Sequence, residues 1–316
     1  MTRKPIDNNP GRRPKIGLAL GSGSARGLAH LGVIRAIEDV GIEVDLVAGT
    51  SMGAFIGAIF ASGNLDRLAA GFLDFDWKII ASMLDPVFPK SGLIDGQKIA
   101  DFVRTHVHNA SIEDLSIPFR AVATDIMNGE EVVIETGDLI EAIRASIAVP
   151  GIFTPVRNNG RILVDGGLVN PVPVSTVRAM GADLVIAVDL NHDIVASRLS
   201  PPNSLENGKL YANAVTRMLE SLQSIENPIL SQFSTWLHKD PLPGIFDVLL
   251  ASIYIMQERI TQASLQHDKP EILIQPPLGA VRFMEFDRVE EIIAIGYECA
   301  REQLAAFTDV GKDTWK

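Results

Sequence analysis

Apolar positions fall into two rhythms along this chain, and their alternation predicts the fold. Short runs rich in apolar and β-branched residues at 16–20, 45–48, 119–125, 131–135, 162–165, 183–190 and 271–274 read as strands. Between them the spacing turns helical. Leu28, Leu31, Ile34 and Ile37 line one face and leave Arg35, Glu38 and Asp39 to solvent. Residues 52–61 are small and apolar nearly all round, which predicts a central buried helix. Pro171 and Pro173 stand where a chain enters a helix, and that helix should end near Met180-Gly181. Strand and helix in alternation argue for an α/β fold whose mostly parallel central sheet is flanked by helices on both faces.

Two stretches read as additions to this core. Residues 65–97 crowd Phe72, Phe75, Trp77, Ile79, Ile80 and Met83 together, which suits either a flap lining an acyl-chain groove or a peripheral helix. Residues 197–245 carry Pro201, Pro202, Pro228, Pro241 and Pro243 around a helix-like 211–223. The apolar run 245–256 that follows is too short to span a bilayer. It suits a core helix, a subunit contact that would make a homo-oligomer through 197–260, or a surface touching lipid.

With 316 residues, 47% of them hydrophobic, the chain can bury a large core. The resulting division is a disordered basic tail over 1–14, a catalytic domain over 15–195, a helical extension over 196–269, and a strand and helix over 270–316 that pack back on the catalytic domain. A single cysteine, Cys299, excludes an intrachain disulfide and suits a reducing compartment. The first fourteen residues lack the apolar stretch of a signal peptide, so a cytoplasmic location is expected, with peripheral contact at the inner membrane face as an option. A net charge of −11 argues against nucleic acid as a partner and gives no general attraction to anionic membranes. No His/Cys/Asp cluster has ligand spacing, so no metal and no organic cofactor is expected.

Candidate chemistry sits at three glycine-flanked points. Ser51 lies in Gly49-Thr50-Ser51-Met52-Gly53, between a strand and a helix, which is the nucleophile-elbow pattern. A plain Gly/Ser-rich turn has the same look. Gly21-Ser22-Gly23-Ser24-Ala25-Arg26-Gly27 joins another strand to a helix and makes a cradle for negative charge, either a phosphate or an oxyanion. A dinucleotide fingerprint would need glycine where Arg26 stands, although Asp45 lies about where a ribose-binding acid would be. Asp165 ends a strand ahead of Gly166 and Gly167; it is either a turn former or a base held against a serine from another strand.

These motifs in this order resemble the patatin-like phospholipase family, and in particular small bacterial members related to neuropathy target esterase. His30-Leu31-Gly32-Val33, Arg144-Ala145-Ser146 leading to Pro150-Gly151, and Asn170-Pro171-Val172-Pro173 add to the likeness. The resemblance covers roughly 15–195 strongly and 270–300 weakly, and it implies a three-layer patatin-like fold. It also implies hydrolysis of acyl esters of phospholipids or lysophospholipids through a Ser51–Asp165 dyad and an acyl-enzyme. The oxyanion would be held by N–H groups of loop 21–24, with that of Met52. Ser22 and Ser24 depart from the family's run of glycines. Because serine keeps its backbone N–H, removal of either hydroxyl should be mild. Arg26 would either add positive charge near the loop or anchor it by bonding carbonyls.

Two alternatives stay open. A Ser-His-Asp esterase would need a histidine after Asp165, and His192, closing the run 183–190, is a better candidate than His238 or His267. His30 reads as helix packing near the loop. A regulatory or scaffold protein could keep the fold and bind a partner through 197–260, although such a role does not require Ser51, Asp165 and the glycine loop together.

Overall fold

In a computed structural model of the chain, the described residues are 12–73, 85, 92–107, 111–194 and 245–310. Eight strands form one sheet in the order β5-β6-β3-β2-β1-β7-β8, with β4 also paired to β3. These are β1 (Ile16–Leu20), β2 (Leu46–Thr50), β3 (Phe119–Asp125), β4 (Glu131–Ile134), β5 (Val156–Asn158), β6 (Arg161–Asp165), β7 (Leu184–Val188) and β8 (Ile272–Ile274). The five strands from β3 to β8 along that order run parallel, whereas β4, β5 and β6 pair antiparallel, so the sheet is mixed.

Among the described residues, eight α-helices surround it: α1 (Ala29–Asp39), α2 (Met52–Ala61), α3 (Leu65–Leu73), α4 (Gln97–His106), α5 (Leu139–Ser146), α6 (Val174–Ala179), α7 (Ile245–His267) and α8 (Val289–Val310). The period of two along the strands sorts side chains by size. Ile16, Leu18, Leu20, Val47, Ile186 and Val188 join the large core with α1, α2 and α8. On the other face small Ala19, Ala48 and Ala187 meet Val174 and Val177 of α6. Helices thus cover both faces of the sheet, with the larger cluster on the α1, α2 and α8 side.

Several boundaries differ from the sequence reading. β2 runs on through Gly49 and Thr50, because both still pair with β3. β5 and α5 were not legible as elements; α5 starts where Asp138 accepts from the N–H groups of Ile140 and Glu141. The apolar run 245–256 is the first half of the 23-residue α7. Among the described residues no helix is long and apolar enough to cross a membrane. Most of the aromatic stretch 74–91, and the helix-like 211–223, lie outside the described residues. Arg12 and Arg13, from the basic start of the chain, reach Asp183 and Asp45. Asp45 also accepts from the N–H of Ile16 at the beginning of β1. It therefore sits at the opposite end of the sheet from the glycine loop that follows β1, which removes the ribose-binding reading.

Candidate active site

Strand register brings the two candidate reactive groups together. β3 lies between β2 and β6, with Thr50 opposite Val122 and Asp165 opposite Ala123. The parallel strand β2 and the antiparallel strand β6 therefore finish at one level over β3. Ser51 Oγ donates to Asp165 Oδ2 at 2.6 Å. Both residues are buried, with exposures of 6% and 2%.

Ser51 is held in an unusual backbone conformation, φ 56° and ψ −123°, between β2 and α2. Such a conformation costs an L-residue on the order of 1–3 kcal/mol and persists only where neighbours over-determine it. Here Ser146 supplies part of the constraint. Its Oγ accepts from the Ser51 N–H at 2.9 Å and donates to the Val122 carbonyl at 2.6 Å. The turn also needs its glycines. A β-carbon on Gly49 would stand 2.3 Å from the Gly53 carbonyl oxygen, and one on Gly53 would stand 2.1 Å from that of Leu20.

Asp165 is fixed from both sides. Its Oδ1 accepts from the Gly167 N–H at 2.7 Å, and its own carbonyl accepts from Thr124 Oγ1 at 2.8 Å. Burial pushes the carboxyl up to about 6; the hydrogen bonds from Ser51 and Gly167 oppose that rise. Above this value the group is an ionised carboxylate touching a hydroxyl, the arrangement of a general base.

The glycine loop lies beside them, and its hydrogen bonds sort the donors. The N–H of Gly21 is engaged by the Val188 carbonyl and that of Ser22 by the Pro171 carbonyl. The N–H groups of Gly23, Ser24 and Met52 have no acceptor among the described residues. Gly23 and Ser24 line a pocket together with Ser51 and Asp165. This narrows the donor set from the whole loop to Gly23 and Ser24, with Met52 at the start of α2. Gly21, Gly27 and Gly166 serve space: a β-carbon would strike the Val188 carbonyl, the Met52 side chain and the Val122 carbonyl respectively.

The loop's own side chains are anchors. Arg26, 1% exposed, donates through Nη1 to the Val281 carbonyl at 2.7 Å and lies 4.7 Å over the Tyr254 ring. Of its two sequence readings, the bond to a carbonyl is the one seen. Ser24 Oγ donates to the Phe283 carbonyl, and Ser22 Oγ to Gln257 Oε1. Both hydroxyls thus have partners and help to fix the loop.

His30 is more than helix packing. Its Nε2 donates to the Gly21 carbonyl at 2.8 Å at the root of the loop. Complete burial drives its pKa down to about 4, only partly offset by that bond, so the ring is neutral. His192 faces Asp193 at 3.9 Å, and no histidine among the described residues hydrogen-bonds Ser51 or Asp165.

Sequence reasoning missed Ser146, Gln257 and Tyr254 as parts of this site. Ser146 had a signal, the Arg144-Ala145-Ser146 tripeptide. Gln257 and Tyr254 had none, because α7 carries no glycine-flanked pattern. Leu250 and Ile253 of α7, with Val149 and Phe283, give the small pocket beside Ser51 and Asp165 apolar walls.

Residues 18–178 match the patatin-like phospholipase family. An uncharacterized NTE family protein of Mycobacterium tuberculosis is 34% identical over 337 residues, covering 93% of this chain and 92% of its own. The human patatin-like phospholipase domain-containing protein 6 is 28% identical over 289 residues, covering 90% of this chain. Lysophospholipase NTE1 of Pyricularia oryzae is 28% identical over 307 residues, covering 94%. The chain spans only 20% and 19% of the length of those last two.

Proposed function

Because the chain belongs to the patatin-like phospholipase family, we propose that it hydrolyses acyl esters of phospholipids or lysophospholipids through a Ser51–Asp165 dyad without a histidine. The observation that carries this reading is the 2.6 Å hydrogen bond from Ser51 Oγ to a buried Asp165 beside open backbone donors. Ionised Asp165 takes the Ser51 proton as Oγ attacks the ester carbonyl carbon. The developing oxyanion is held by the N–H groups of Gly23 and Ser24, with that of Met52. Collapse of the tetrahedral species expels the alcohol, which receives the proton from Asp165 and leaves an acyl-Ser51. Water then gives a proton to Asp165 and attacks the acyl carbon; Ser51 Oγ departs and is reprotonated, and the fatty acid is released.

Two relatives whose names include phospholipase or lysophospholipase support the lipid class, and the apolar walls support an acyl chain. The test is labelling with a fluorophosphonate together with fatty-acid release from lysophosphatidylcholine. The wild type should label at Ser51 and hydrolyse, and Ser51→Ala should do neither. A folded wild type that neither labels nor hydrolyses would instead favour the scaffold reading.

A further inference from the structure

Gln257 of α7 lines the same pocket as Ser51 and Asp165, yet the reaction above gives it no task. It is 6% exposed. Its Oε1 accepts from Ser22 Oγ at 3.2 Å and from Asn191 Nδ2 at 3.1 Å. With the acceptor end doubly engaged, the amide is held in one orientation and Nε2 is directed over Gly167. A β-carbon at position 167 would stand 2.3 Å from Gln257 Nε2 and 2.9 Å from Asp165 Oδ1. The side chain missing from Gly167 is thus the space in which the amide approaches the carboxylate. Gln257 Nε2 has no acceptor among the described residues. That atom is not among the fully buried, unpartnered polar atoms, so it keeps access to the pocket, where an oxygen of a bound molecule can accept from it.

We propose that Gln257 is a further catalytic residue, whose Nε2–H donates to the oxygen that leaves the acyl carbon and later to the water oxygen that attacks it. The inference rests on the Ser51–Asp165 reading. The two oxygens occupy one place, because each exchanges a proton with the same carboxylate: the leaving oxygen receives the proton held by Asp165, and water surrenders one to it. Gln257 transfers no proton itself. It places that oxygen against Asp165 and, in the first half-reaction, stabilises the charge gathering on it as the carbon–oxygen bond breaks. Its other end ties Ser22 of the glycine loop to the same amide, so the loop and the leaving-oxygen position are set by a single side chain.

The alternative is that Gln257 only packs the loop, and two variants separate the readings. Gln257→Met removes donor and acceptor, whereas Gln257→Glu keeps an acceptor for Ser22 and Asn191 but removes the donor. A fluorophosphonate expels fluoride, which needs no donor at the leaving position, so it reports the nucleophile and the oxyanion loop alone. Above its shifted acid limb, Gln257→Glu should label Ser51 at a rate within about threefold of wild type, whereas Gln257→Met, which also frees Ser22, should label more slowly; in both, lysophosphatidylcholine turnover should fall by about ten- to a hundredfold, and by more than labelling does. With a p-nitrophenyl ester, whose leaving group also needs no donor, they should show a burst of one equivalent followed by slow deacylation. Gln257→Glu should also move the acid limb of the rate profile to higher pH, because a second carboxylate near Asp165 raises its pKa. Labelling and turnover that fall by the same factor in both variants would reduce Gln257 to loop packing and overturn the inference. Unchanged turnover would overturn it too. A wild type that neither labels nor hydrolyses removes the underlying reading, and this inference with it.

Discussion

The Ser24 hydroxyl donates to the Phe283 carbonyl at 2.6 Å, joining the glycine loop to a residue 259 positions further along the chain. Ser24 has φ 49°, in the left-handed region, so its position has both a backbone cost and a side-chain bond. Ser24→Ala loses the bond and keeps the cost; it should destabilise by about 1 kcal/mol and lower turnover about tenfold. Ser24→Gly loses the bond but relieves the backbone, so its stability should stay near wild type. Thermal melts of the two variants side by side check the order, and a more stable Ala variant would contradict it.

Ser51→Ala and Asp165→Asn should each abolish ester hydrolysis, with the double variant no worse than either, since a coupled pair acts as one unit. His192→Ala and His267→Ala should keep most activity. A loss of several orders of magnitude in either folded histidine variant would restore the Ser-His-Asp mechanism. Steady-state hydrolysis with a circular-dichroism control decides between them.

If Asp165 is the base, it should set a pH limb for activity and an opposite one for stability. Turnover should rise through about pH 6 as the buried carboxyl ionises. Because the folded pKa exceeds the unfolded one, near 3.9, the folded state holds more protons between the two values. The group's favourable contribution is therefore full below about pH 3.9 and lost as pH rises through about 6. Above that the ionised form costs roughly 2–3 kcal/mol. Asp165→Asn should thus melt higher than wild type at pH 8, with a difference that shrinks towards pH 4. A difference that does not change with pH would contradict the burial argument.

His30 carries the reverse sign. Its folded pKa, about 4, lies below the ordinary 6.5, so the stability from keeping it neutral is present above pH 6.5 and lost as pH falls through 4. His30→Gln keeps a donor for the Gly21 carbonyl but does not titrate, and should flatten that part of the stability profile. His30→Leu leaves the carbonyl without its donor and should lower turnover about tenfold with the fold retained. Urea melts between pH 4 and 7, with hydrolysis rates, check both.

Ser51 and Asp165 were legible because sharp turns at strand ends demand glycines, and those glycines mark the positions in the sequence. The core strands were legible for a related reason: burial on both faces leaves few polar residues in them. The antiparallel course of β6, which lets Asp165 finish level with Ser51, left no such mark, since Arg161–Asp165 reads alike in either direction. The anchors were hidden for want of local pattern. Gln257, Val281 and Phe283 act across more than 230 positions, two of them through backbone carbonyls that any residue could offer. Arg26 alone, read as either adding charge or bonding carbonyls, pointed to an anchor, without saying which residues supply it.

Chain order gives these anchors a role in time. A ribosome delivers Ser51 and Asp165 well before Val281 and Phe283, so a nascent chain already carries both reactive groups while Arg26 and Ser24 still lack the carbonyls they bind. The glycine loop thus receives its anchoring carbonyls last, from a segment that follows every other residue named in the candidate site.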